Sequence, residues 1–168
     1  RTTVDSIILL QPHYVQIWKF QAWNLAYNVS REWDKVDDRF YWVKEGIKFL
    51  AKGTRRNESI PILAHNVGEV IQQKMGVSDE KKFFRVFFRE DPDEKFNVNN
   101  QAAPDTEINP GAKDSYLVAY DWFNSANERD DADGVPDGIL GKGMTYVFFR
   151  GSAAKALLNY AETLTKEG

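Results

Sequence analysis

Three groups of residues in this chain have the types and spacing to do chemistry. The densest is Asp131-Ala132-Asp133-Gly134-Val135-Pro136-Asp137-Gly138, where carboxylates alternate around a glycine. Calcium takes about six to eight oxygens in a flexible loop, so Asp131, Asp133 and Asp137 are candidate Ca²⁺ ligands. The string occurs once and lacks the glutamate that closes an EF-hand. A plain acidic turn, kept polar for solvation, is the competing reading. The second group is Glu90-Asp91-Pro92-Asp93-Glu94. Two of these carboxylates could serve as acid and base only if burial split their pKa values, and flanking Pro92 and Lys95 predict exposure. The third is the pair His13 and His65, expected on the surface or in a groove, with no His-Glu-x-x-His zinc pattern around either. Cysteine is absent, which removes disulfides, thiol nucleophiles and thiolate metal sites together. Gly138, Gly141 and Gly143 lack the lysine and following helix that a phosphate cradle requires. These residues predict no enzyme.

The elements that must carry these residues fit one domain. The chain has 168 residues, enough to bury a substantial core. Its 42% hydrophobic and 28% charged content reads as globular. A formal charge of -3 argues against a nucleic-acid surface, which needs a basic stripe. Aromatics make up 14%, a load that has to enter a core or an interface. The apolar run Ile7-Ile8-Leu9-Leu10 is far short of the roughly 18–20 residues of a membrane span. Beginning at Arg1, the sequence leaves open a leader or anchor upstream.

Periodicity predicts helices throughout. Thr3 to Leu10 ends at Pro12, and Tyr14, Ile17, Trp18, Gln21, Ala22, Leu25 and Val29 follow at helical spacing. The charged stretch Arg31 to Arg39 breaks that pattern. Trp42, Val43, Gly46, Ile47 and Leu50 mark a third helix, ended by Gly53 and Asn57. Pro61 sits in the first turn of the next, which runs to Gly76. Ser78 is the expected N-cap of a helix whose Phe83, Phe84, Phe87 and Phe88 form one aromatic face. From Asp91 to Lys113 no periodicity appears. A loop of that length is uncommon in a compact domain and predicts a strap or an insertion. Asp114-Ser115 caps a helix to about Asn127, Gly143–Phe149 is expected extended and packed, and Ser152 caps a last helix to Lys166. The expected fold is all-α.

The stretch Pro12 to Gly76 resembles the tetratricopeptide repeat, on Pro12, Trp18, Ala22, Leu25, Gly46, Leu50, Gly53, Ala64, Val67, Gly68 and Ile71. The match has an insertion between Ala22 and Gly46, and Glu58 stands where a closing proline belongs. A second resemblance rests on Phe20–Val29, Trp42–Leu50 and Asn159–Leu164. These strings look like an uncharacterised bacterial family of long, helix-rich repeat proteins that are often membrane-anchored. The Asp131 string is similar to the Asp-x-Asp-Gly-x-x-Asp loops of extracellular calcium repeats.

The repeat resemblance implies antiparallel helix pairs of α-solenoid type with long polar loops, in a single domain over 1–168 with its repeat core at 12–76 and its long loop at 91–113. It implies a non-enzymatic interaction scaffold or an accessory subunit of a larger assembly, and the second resemblance implies association with a bacterial membrane. The repeat's inner surface would use the positions one and five residues after its Trp position, held here by Trp18 and then Ala64. Here these are Lys19 and Trp23, then Tyr27 one turn on, and in the next unit His65 and Glu69, then Gln73. Trp23 is the expected anchor, because large aromatics dominate interface energies; the competing expectation is that Asn28–Arg39 or the Asp91–Lys113 loop covers Trp23 and Tyr27. A calcium-stabilised structural domain of the cell envelope is the alternative.

Overall fold

The computed structural model describes residues 3–133 and 141–167, with side chains described at 3–131 and 147–166. Among these residues every regular element is helical, and the one ladder contact is an isolated bridge between Val98 and Gln101.

Helix α1 (Thr3–Leu10) stops short of Pro12, which cannot supply the backbone donor a continuing helix needs. Helix α2 (Val15–Trp23) runs on through a π-helical turn, Asn24–Asn28, and a 3₁₀ turn, Val29–Glu32. Extended backbone at Trp33 breaks the path before α3 (Val36–Arg56). This helix carries Asp37 and Asp38 in its first turn and Arg55 and Arg56 in its last, which suits its dipole at both ends. Asn57 then caps it: its Nδ2 donates to Gly53 O at 2.9 Å and to Pro12 O at 3.1 Å. The indole of Trp18 donates to the same Pro12 carbonyl at 2.9 Å, so the α1–α2 turn is tied to the end of α3.

Helix α4 (Pro61–Ile71) starts with proline in its first turn, where the missing N–H costs nothing, and passes into a second π-helical turn, Gln72–Val77. Then come α5 (Lys81–Phe87), a 3₁₀ turn at Glu94–Phe96, α6 (Ser115–Asp133) and α7 (Gly141–Glu167).

Small residues set the helix spacing. A Cβ on Gly46 of α3 would lie 2.7 Å from Ala22 O and 3.1 Å from Ala26 Cβ. One on Gly68 of α4 would lie 2.7 Å from the Phe123 ring and 3.0 Å from Ala119 O of α6. Helices α2 and α3, and α4 and α6, therefore approach at backbone distance, with Trp18, Phe40, Leu63, Ile71 and Phe123 filling the space beside each contact. In sequence order α2 packs on α3, α3 on α4, α4 on α6 and α6 on α7, with a further contact between α2 and α4.

The structure departs from the sequence reading at several points. Gly143–Phe149 is not extended but part of α7, because Phe149, Ala153 and Ala156 bury one stripe of that helix. Ser152 therefore lies mid-helix and caps nothing; its Oγ donates back to Phe148 O at 2.9 Å. Ser78 likewise bonds backwards, to Lys74 O at 2.6 Å, and α5 begins after Glu80. Gly53 is interior to α3. The aromatic face of α5 is split: Phe84 and Phe88 are buried and Phe83 is exposed. Asp114 does cap α6, its Oδ1 accepting from Tyr116 N at 2.9 Å.

The 91–113 segment is a strap fastened from beneath. Asp91, Asp105 and Asn109 are all buried, against the exposure expected around Pro92. Asn109 Nδ2 donates to Phe88 O and Lys113 O, each at 2.9 Å, while its Oδ1 accepts from Lys113 N at 3.0 Å. Asp91 and Asp105 meet Lys44 and Lys48 of α3, a buried charge cluster that holds the strap on that helix.

Candidate functional site

An open concavity of 780 Å³ runs between α2 and α4. Lys19, Trp23 and Tyr27 recur every fourth residue and so project from one face of α2 and its π-helical extension. Asn66, Glu69 and Gln73 face them from α4 and its own extension, and Leu50 of α3 lies on the lining. Five of the six residues singled out in the sequence thus meet in one groove: Lys19, Trp23, Tyr27, Glu69 and Gln73.

Its rim is aromatic. Phe20 is 62% exposed and Trp23 50%, so neither the 28–39 segment nor the strap covers this face. The Trp23 and Tyr27 rings stack at 5.5 Å with 16° between planes, which holds Trp23 upright on the groove wall. Tyr27 is deeper. Burial, then the negative charge of Glu69, pushes its hydroxyl up to about 12. The Lys74 ammonium sits 4.7 Å from the Tyr27 ring, and burial pulls that lysine below its usual range. Opposite, burial raises the Glu69 carboxyl, an effect countered by the charge of Lys19 across the groove. The groove therefore combines an apolar wall with one cation and one carboxylate on facing sides.

His65 is the sixth residue, and its position corrects the sequence reading. It is 0% exposed and lies beneath the groove, not on its surface. Helix α7 covers it: the imidazole packs 4.7 Å from Phe148, 4.8 Å from Phe149 and 4.9 Å from Phe123 of α6. Burial, then the charge of Lys19, brings its pKa down to about 4. Nε2 is 2.9 Å from Ser152 Oγ, and Nδ1 is 3.8 Å from Glu69 Oε2. The order serine, histidine, carboxylate is that of an activated nucleophile, but Phe148 O competes for the Ser152 hydroxyl at 2.9 Å and the Nδ1–Glu69 separation is longer than a hydrogen bond. His13, the other histidine, places Nδ1 2.8 Å from Asn57 Oδ1 at the start of α2.

Asp131 lies in the last turn of α6, and Arg150 of α7 holds its carboxylate with Nη2 at 2.5 and 2.6 Å from the two oxygens. Asp133 ends the helix, its side chain outside the described ones, and Asp137 lies outside the described residues altogether. Among the described residues no group of histidines and carboxylates is arranged to hold a metal ion, and no helix is long and apolar enough to cross a membrane.

Sequence reasoning did not find the Lys44–Asp91–Asp105–Lys48 cluster. Its one local signal is a pair of lysines four apart on α3, and both acidic partners lie more than forty residues away. Comparison with family models, with curated proteins and with solved structures gives no match for this chain.

Proposed function

We propose that this chain is a tetratricopeptide-like interaction module that takes an amphipathic helix of a partner protein into the α2/α4 groove. One observation carries the reading: five of the six groove residues expected from repeat spacing line a single open concavity whose aromatic wall is exposed. The order of packing supports it. With α2 and α4 as first helices of successive pairs and α3 and α6 as their second helices, α7 follows as the first helix of a third pair. His65 of α4 against Phe148 and Phe149 of α7 continues that layer. A helix seats its apolar stripe on such a surface through anchors at i, i+3 and i+4, with Trp23 as the principal contact on this side. Lys19 and Glu69 on facing sides would set the partner's direction through its own charges.

The test is site-specific photo-crosslinking. A benzoyl-phenylalanine placed at Phe20 should trap a discrete partner in native lysate, and one at Lys52, on the exposed face of α3, should not. Equal labelling from both positions, or none from Phe20, overturns the groove reading.

A further inference from the structure

The strap is fastened by groups set for a reaction as well as for an ion pair. Lys44 and Asp91 side chains are each 1% exposed, and Lys44 Nζ is 2.5 Å from Asp91 Oδ2. Asp105 Oδ2 lies 3.5 Å from the same Nζ and is itself held 2.6 Å from Lys48 Nζ. Phe96 lies over the Lys44 ammonium at 4.3 Å and Phe40 at 5.7 Å. The second oxygen of Asp91 accepts from the Asp93 N–H at 2.9 Å. An amine, a carboxyl carbon, a second carboxylate within reach of the amine and an N–H on the carbonyl oxygen thus share one enclosed site.

We propose that Lys44 and Asp91 condense into an intramolecular isopeptide bond, which joins α3 covalently to the strap. The proton shared on the Lys44–Asp91 hydrogen bond passes to Asp91, leaving an amine and a carboxylic acid. The Nζ lone pair attacks Asp91 Cγ, forming the C–N bond while the carbonyl electron pair moves onto Oδ1. The Asp93 N–H already points at that oxygen, where negative charge develops. Asp105 takes a proton from Nζ and delivers it to the Oδ2 hydroxyl; the C–O bond breaks and water departs as the carbonyl reforms. One amine and one acid become one amide and one water, and Asp105 ends as the carboxylate it began as. No oxidant or cofactor enters.

Two physical terms favour the step. Fixed contact replaces a bimolecular encounter, and such orientation is worth large effective concentrations. Burial penalises the separated charges of the ion pair, which the neutral amide replaces. A small cavity of 210 Å³ lined by both Lys44 and Asp91 gives the released water a way out.

Intact-mass measurement on the full chain, denatured, decides the matter. The expected mass is that of the sequence less one water, and a digest should yield one branched peptide joining Lys44 to Asp91. Lys44→Arg and Asp105→Ala should each show their own full sequence masses. Asp91→Asn should form the same cross-link with loss of ammonia. Wild-type protein at its full sequence mass overturns the proposal. So does a water loss that maps to a succinimide at Asp133 or Asp137, each of which precedes a glycine. Because the wild-type mass is itself decisive, a variant that fails to fold leaves the result intact.

Discussion

Gly53 of α3 lies directly against the face of the Trp18 indole: a Cβ at residue 53 would stand 2.6 Å from Trp18 Cδ2 and 2.8 Å from Cγ. Trp18 is 0% exposed and its Nε1 is committed to Pro12 O, so the ring has nowhere to go. The contact sets how closely α2 and α3 approach, and that approach determines where Trp23 and Tyr27 stand one and two turns further along.

Gly53→Ala is therefore destabilising even though alanine is the better helix former. The helix-propensity gain of about 1 kcal/mol is outweighed by overpacking, which costs about 1–3 kcal/mol against a rigid neighbour. Urea unfolding should show a lower midpoint with an unchanged slope; an equal or higher midpoint would mean the helices can part freely.

Trp23→Ala separates groove from core. Half of the side chain is already in solvent, so the loss of its stacking on Tyr27 should cost about 1 kcal/mol or less of stability. Affinity for the captured partner should fall by about 2 kcal/mol or more. A drop of several degrees in melting temperature would instead make Trp23 a core residue.

The buried His65 predicts an acid-sensitive fold. Burial, then the charge of Lys19, lowers its pKa from the ordinary 6.5 to about 4 in the native state, so between these values the unfolded chain binds the proton that the folded one refuses. Its contribution is fully present above pH 6.5 and is lost as pH falls towards 4. That pKa difference corresponds to about 3–4 kcal/mol. His65→Phe, which suits the three surrounding phenylalanine rings, should flatten stability against pH across that window. An unchanged pH slope would exclude His65 as its source.

Asn109 holds both ends of the strap's last turn through three hydrogen bonds to backbone groups. Asn109→Ala would leave Phe88 O without that buried donor, at a cost of about 1–3 kcal/mol. Limited proteolysis should then cut between residues 97 and 103 sooner than in wild type, while α2 and α4 remain protected.

Calcium at Asp131 would have to displace Arg150, whose guanidinium already occupies both carboxylate oxygens. Millimolar Ca²⁺ is expected to leave the melting temperature within error of the chelated sample. A clear rise would establish linkage to a bound ion and revive the envelope-domain reading.

Much of this fold was legible from local signals. Pro12, Pro61 and Asn57 mark helix ends by backbone chemistry that acts within a few residues. The four-residue spacing of Lys19, Trp23 and Tyr27 commits them to one face of any helix they form. Elsewhere local preference does not decide the outcome. Gly143, Thr145, Val147 and their aromatic neighbours are poor helix formers, yet the segment is helical because α7 buries Phe149 against α4 and α6. Ser78 and Ser152 look like caps, but their hydroxyls fold back on the preceding turn.

The sequence by itself determined an all-helical chain, the positions of its main breaks and the face of α2 that carries aromatics, because these follow from periodicity and from proline and asparagine chemistry over a few residues. Only the tertiary structure decided that His65 is covered by α7, that Gly53 and Gly68 are contact points, and that Lys44 meets Asp91 beneath the strap. Such relations join residues dozens of positions apart. They depend on which helix faces become neighbours, and that is settled when the apolar stripes of the chain bury one another.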